Sequence, residues 1–222
     1  MKVQVLAFLK GILAGLAIGV GGFLYILMKH FVSGELGNVL GSFLFAIGLF
    51  TVCTFSLALF TGKIGLVFEK KQEKSFYISL PVMLVGNIIG AVAIGYVCYA
   101  IFMNNEQMMN TVNAVCKTRV ELFTFDQYLS MMVRGFLCGL CVYLAVKCFS
   151  LNRLKPVGII LLVTFVFVFV YSGFQHCIAN MFYLGFGNKY TDPNAYINIF
   201  FCILFNALGT IPGVLICKIV KK

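Results

Sequence analysis

The chain has 222 residues, 61% of them hydrophobic and 11% charged, with a mean hydropathy of +1.01 and a formal net charge of +10. Soluble domains carry about 25% charged residues, so this composition excludes a water-soluble globular domain and points to a bilayer. The basic balance is not a nucleic-acid footprint, because no tract of five or more clustered lysines and arginines occurs.

A bilayer core takes about 20 apolar residues per helix. Six segments qualify in chain order: 5–28, 36–62, 77–102, 127–149, 156–186 and 195–219. The first runs past signal-peptide length without a clear cleavage site, so it is read as a span. The second and fifth are longer than a straight span needs. Both are interrupted by small and polar residues, "CTFS" and "YSGFQHC". Such interruptions predict discontinuous helices, which a membrane tolerates where the broken backbone is buried in protein or lines a cavity.

Lysine and arginine counting sets the orientation. One side holds Lys2, Lys10, Lys63, Lys70, Lys71, Lys74, Lys147, Arg153, Lys155, Lys218, Lys221 and Lys222; the other holds Lys29, Lys117, Arg119, Arg134 and Lys189. Twelve against five predicts cytoplasmic N- and C-termini in a plasma or inner membrane.

The two halves repeat. "KGILAGLAIG" at 10–19 lies over "RGFLCGLCVY" at 134–143, and "GNIIGA" at 86–91 lies over "FNALGT" at 205–210. The broken segments then correspond, with Ala58-Leu59 opposite Gln175-His176. Each half has three spans, so the second enters the membrane from the opposite side. The expected fold is an all-α integral membrane protein of six transmembrane helices, built as an inverted 3+3 repeat. Helices two and five are broken near the midplane, an aquaporin-like architecture. It forms one transmembrane domain over 1–222: repeat one at 1–102, an outer connecting segment at 103–126 and repeat two at 127–222. Glycines spaced four apart (Gly11, Gly15, Gly19; Gly86, Gly90; Gly135, Gly139; Gly209, Gly213) predict close helix packing and name no substrate.

His176 is the one ionisable side chain expected deep in a span, and such groups are rare and commonly functional. An imidazole can donate a hydrogen bond to an anion or give it a proton. The alternative is a neutral histidine bonded to a nearby carbonyl. His30, at a helix end, is read as structural. Ser172 and Gly173 would break the helix beside His176. Asn180 and Gln175 would satisfy the freed carbonyls or orient the ring.

These residues resemble a family. "GFQHCIANMF" is similar to the fifth-helix signature of the formate/nitrite transporter family, G-[FY]-E-H-S-[IV]-A-N-M-F. "ALFTG" at 58–62 resembles its second-helix loop, and its third-helix Gly-Asn-x-x-Gly pattern stands at 86–90, containing Asn87. The resemblance covers all six spans and implies a homopentamer with a pore through each protomer, passing small monovalent anions such as formate, nitrite, hydrosulfide or lactate. It implies that His176 is the central pore histidine, Thr61 its partner, Leu59 and Phe60 constriction residues, and Asn206 the sixth-helix asparagine near the histidine. Ala58 and Gln175 stand where the family has glutamates. Lys117 and Arg119 are the nearest basic residues to its outer lysine. No cofactor, metal or enzymatic reaction is implied; the partners are the anion, protons and lipid.

Two other classes compete. A channel for small neutral solutes of aquaporin type would share the inverted repeat, but its paired Asn-Pro-Ala motifs are absent: Asn113-Ala114, Asn194-Ala195 and Asn206-Ala207 lack the proline. A membrane thiol oxidoreductase would use the C-x-x-C of Cys138 and Cys141, but that pair is expected inside span four with no charged neighbour to activate a thiol.

Overall fold

The computed structural model describes residues 2–151 and 155–220. Their helices, in chain order, are α1 (Lys2–Phe31), α2 (Glu35–Thr54), α3 (Phe60–Lys63), α4 (Leu66–Glu69), α5 (Lys74–Phe102), α6 (Glu106–Val120), α7 (Phe125–Leu151), α8 (Lys155–Tyr171), α9 (Cys177–Phe186) and α10 (Pro193–Val220). Five of these, α1, α2, α5, α7 and α10, are long and apolar enough to cross a membrane; Pro156–Tyr171 and α9 are shorter and equally apolar. Arg153, Lys221 and Lys222, counted above for orientation, lie outside the described residues.

Helix α1 packs chiefly on α5 and α2, and α7 chiefly on α10 and α8; α2 meets α8 and α5 meets α9. Two glycines show why the closest pairs can form. A Cβ on Gly15 would lie 2.3 Å from the Asn87 carbonyl oxygen, and one on Gly139 would lie 2.1 Å from the Asn206 carbonyl oxygen. Backbone meets backbone at both crossings, which only glycine permits.

The long segments predicted at 36–62 and 156–186 each resolve into two helices around five non-helical residues, 55–59 and 172–176. Both first helices end by the same device. Leu57 N donates to Val52 O and Ser56 N to Cys53 O; Phe174 N donates to Phe169 O and Gly173 N to Val170 O. The residue closing each turn has positive φ, 50° at Ser56 and 67° at Gly173. These are Schellman caps, which satisfy terminal carbonyls that would otherwise be buried unpaired.

Two features were not anticipated. The connecting segment 103–126 contains a helix, α6, whose start is capped by Asn105 Oδ1 accepting from Met108 N at 3.0 Å. It buries Met108, Val112, Cys116 and Arg119, one helical face, against the bundle. The second halves of the broken segments also differ. Every residue of α9 is buried, whereas α3 and α4 are separated at Ile64-Gly65 and mostly half-buried. Glu69, at the end of α4, anchors that arm: it accepts from Tyr143 Oη at 2.8 Å and pairs with Lys147 Nζ at 2.7 Å.

Candidate functional site

The first turn of a helix leaves backbone N–H groups without intrahelical partners, and the residue before it can accept from them. His176 holds that place ahead of α9, with φ −95° and ψ 117°. Its Nδ1 accepts from Ala179 N at 3.1 Å. A nitrogen that accepts carries no proton, so the neutral ring has its proton on Nε2. Nε2 lies 2.9 Å from Thr61 Oγ1 and donates to it. The Thr61 hydroxyl hydrogen is then left to serve another acceptor. The His176 ring lies against Phe169, centroids 6.0 Å apart. Leu59 holds the corresponding place ahead of α3, with φ −92° and ψ 122°. Leu59, Phe60, Thr61 and His176 are all buried.

Two asparagines hold the breaks. Asn87 Oδ1 accepts from Phe60 N at 2.8 Å, and its Nδ2 donates to Ala58 O and Gly11 O, both at 2.8 Å. Asn206 Oδ1 accepts from Cys177 N at 2.9 Å, and its Nδ2 donates to Gln175 O and Gly135 O, both at 2.8 Å. Backbone bonds complete the match: Ala58 N to Lys10 O and Gln175 N to Arg134 O, each 3.3 Å. Ala58 therefore needs no side chain to fix its loop.

This corrects the expectation for Asn180 and Gln175: among the described residues their side chains hydrogen-bond neither a carbonyl of the break nor the His176 ring. Asn180 Nδ2 donates to Gln175 Oε1 at 2.6 Å and to Asn198 Oδ1 at 2.9 Å, while its Oδ1 accepts from Arg119 Nε at 2.8 Å. Nor do the leading N–H groups of α9 all face open space, since Cys177 N is taken by Asn206 and Ala179 N by His176. Ser172 is exposed, and Gly173 supplies the positive φ.

The two outer basic residues part company. Lys117 is mostly exposed and pairs with Glu121 at 3.7 Å. Arg119 is buried, its guanidinium 4.7 Å from the centre of the Tyr183 ring. It lines a cavity of about 210 Å³ that also touches Tyr25, Lys29, Thr118, Arg134 and His176. A second cavity, of about 170 Å³, is bounded by Ser56, Leu57, Leu59, Lys63, Val146 and Phe149 among others. The two share no residue, and no carboxylate lines either. Lys29 was missed at the sequence level: its position at a helix end gave no sign that it lines the cavity that also touches His176.

Cys138 and Cys141 are buried free thiols. Among the described residues no three His, Cys, Asp or Glu side chains are grouped to hold a metal ion.

Apolar helices crossing at glycines, two of them interrupted where polar groups meet, define a multi-pass membrane protein with the build of a channel or transporter. The formate/nitrite transporter family model matches residues 3–220, and the chain belongs to that family. It is 26% identical over 191 residues to the formate channel FocB of Escherichia coli (strain K12), covering 82% of this chain and 67% of that one. It is 28% identical over 227 residues to the formate-nitrite transporter of Plasmodium falciparum (isolate 3D7), covering 92% and 71%. A solved pentameric formate channel with formate bound superposes with a TM-score of 0.77 at 24% identity, covering 98% of this chain and 95% of that one. An ion channel of the same family gives 0.70 at 19% identity. The relatives are named as channels and transporters. The structural likeness gives the fold, and the substrate is a separate question.

Proposed function

We propose that the chain passes small monovalent anions of weak acids, formate, nitrite or hydrosulfide, and catalyses no reaction. His176 gives the anion a hydrogen bond or a proton at the narrowest point. The protein acts as a homopentamer in the plasma or inner membrane, both termini cytoplasmic, six spans forming an inverted 3+3 repeat with helices two and five broken near the midplane. The matched bonds of Asn87 and Asn206 support the repeat. The named relatives support the anion class and the pentamer.

The observation that carries the reading is the Thr61–His176 hydrogen bond at 2.9 Å, made between the first turn after one break and the last residue of the other. An anion entering a dry constriction loses hydration worth several kcal/mol. The Thr61 hydroxyl hydrogen is the free donor there, and His176 Nε2–H becomes one when it leaves Thr61 Oγ1; neither donor is a full charge that would trap the ion. Leu59 and Phe60 supply apolar surface beside them, which excludes water and favours passage of the neutral acid. Arg119 and Lys29 on one side, and Lys63 on the other, raise the local anion concentration. Asn206, Asn87, Gln175 and Asn180 act by positioning.

The test is flux into liposomes of formate, nitrite and hydrosulfide, with and without a pH gradient. Anion flux that loses its parental pH dependence in His176→Asn, and collapses in His176→Phe, supports the reading. A His176→Asn variant with the parent's rate and pH profile makes the histidine structural. Flux of a neutral solute such as glycerol without anion flux sinks the anion reading.

A further inference from the structure

A further cavity, of about 150 Å³, shares no residue with the two that adjoin His176 and Leu59. It lies between the end of α4 and the closing turns of α7 and α10, and Lys70, Lys147, Lys218, Glu69 and Tyr143 line it among others. Among the described residues three lysines thus meet one carboxylate there. That carboxylate is already committed: Glu69 takes Lys147 Nζ on both oxygens at 2.7 Å and accepts from Tyr143 Oη. Lys70 and Lys218 remain as excess charge. Lys70 is exposed, and its ammonium forms no ion pair among the described residues. Lys218 uses one N–H on Phe68 O at 3.1 Å, and an ammonium carries three.

The depth of this cavity matters. Helix α10 has 28 residues and rises about 42 Å, against about 30 Å of hydrocarbon core, so its last turn, with Lys218, stands at headgroup level. Leu204, Leu208, Leu215 and Ile219 are exposed along one face of α10, and Lys218 closes that face three residues beyond Leu215. An apolar track therefore ends at two ammonium groups in excess. Basic pockets between helices at a membrane surface suit anionic lipid headgroups. We infer that this cavity binds one anionic phospholipid, its phosphate bridging Lys70 and Lys218 and an acyl chain lying along the exposed stripe of α10. Lys70 follows α4 and Lys218 belongs to α10, so the lipid ties the continuation of the Thr61 arm to the last helix.

The test is thermal unfolding of the full chain in dodecyl maltoside as dioleoylphosphatidylglycerol is added, with zwitterionic dioleoylphosphatidylcholine as the control. The parent's Tm should rise with phosphatidylglycerol and then saturate, as for a ligand that binds only the folded state, and should stay flat with phosphatidylcholine. Lys70→Gln and Lys218→Gln should each weaken the apparent affinity several-fold, and the double variant should lose the response. Lys2→Gln removes a charge from α1, which packs chiefly on α5 and α2, and should respond as the parent does. Equal responses to the two lipids, or a parental response in the double variant, overturn the inference. So does a loss in Lys2→Gln as large as in Lys218→Gln, which would make the attraction a diffuse surface charge. Inorganic phosphate that raises Tm as far as the lipid does would make the cavity a free-anion site and sink the lipid. The readout is equilibrium binding, so its failure leaves the transport reading intact.

Discussion

Asn87 and Asn206 do the same work in the two halves of the chain. Each places one amide across one break, accepting from the N–H that starts a short helix and donating to two carbonyls, all six contacts between 2.8 and 2.9 Å. Each fixes the residue between its two anchor points, Leu59 in one half and His176 in the other. The histidine's position thus depends on a side chain thirty residues further along the chain.

Asn206→Ala should therefore destabilise the protein by about 3 kcal/mol, three buried hydrogen bonds at about 1 kcal/mol each. Asn87→Ala should cost a similar amount. Thermal unfolding in detergent reads both. A loss well under 1 kcal/mol in either would mean that water or relaxed backbone replaces the amide.

Ser56 and Gly173 close equivalent caps, but only one is glycine. A non-glycine residue at φ 50° is strained, so Ser56→Gly should stabilise by up to about 1 kcal/mol. Gly173→Ala should do the reverse and set a methyl 3.4 Å from Arg134 Nη1. Unfolding temperatures that move in the same direction for both variants would contradict this account of the breaks.

Thr61→Val keeps shape and removes the hydroxyl that His176 Nε2 meets. Losing one donor at the constriction should slow formate flux by about tenfold, the equivalent of one hydrogen bond. The measurement is liposome uptake at equal protein incorporation. An unchanged rate would place the rate-limiting point elsewhere.

Replacing Cys138 and Cys141 together by alanine should leave transport close to the parent's, because both are buried packing thiols. Flux assays alongside a folding check decide this. A folded double variant with no activity would restore the thiol oxidoreductase reading.

Gly139→Ala tests the helix crossing that carries Asn206. The new Cβ would sit 2.1 Å from the Asn206 carbonyl, so α7 and α10 must separate. Overpacking of this kind costs about 1–3 kcal/mol. A melting temperature equal to the parent's would show that the crossing is looser than drawn.

Apolar run length and composition were enough, from the sequence by itself, to establish a membrane chain, its segments and the two interruptions, because the bilayer enforces both. The specific stretch 173–182 pointed to the family, and the offset between "GNIIGA" and "FNALGT" already paired Asn87 with Asn206. Local pattern could not assign hydrogen bonds between residues far apart in the chain. Asn180 and Gln175 lie near His176 in sequence, yet Asn180, from the first turn of α9, bonds Gln175, Asn198 and Arg119 rather than the ring. Helix α6 was too polar to register as a span, and only its docking turns Arg119 inward while leaving Lys117 in water. Nor could the sequence show that Nδ1 of His176 accepts from its own helix and so leaves the proton on Nε2, facing Thr61. Tertiary structure decided these points, since a buried polar group bonds to whichever partner packing brings within reach.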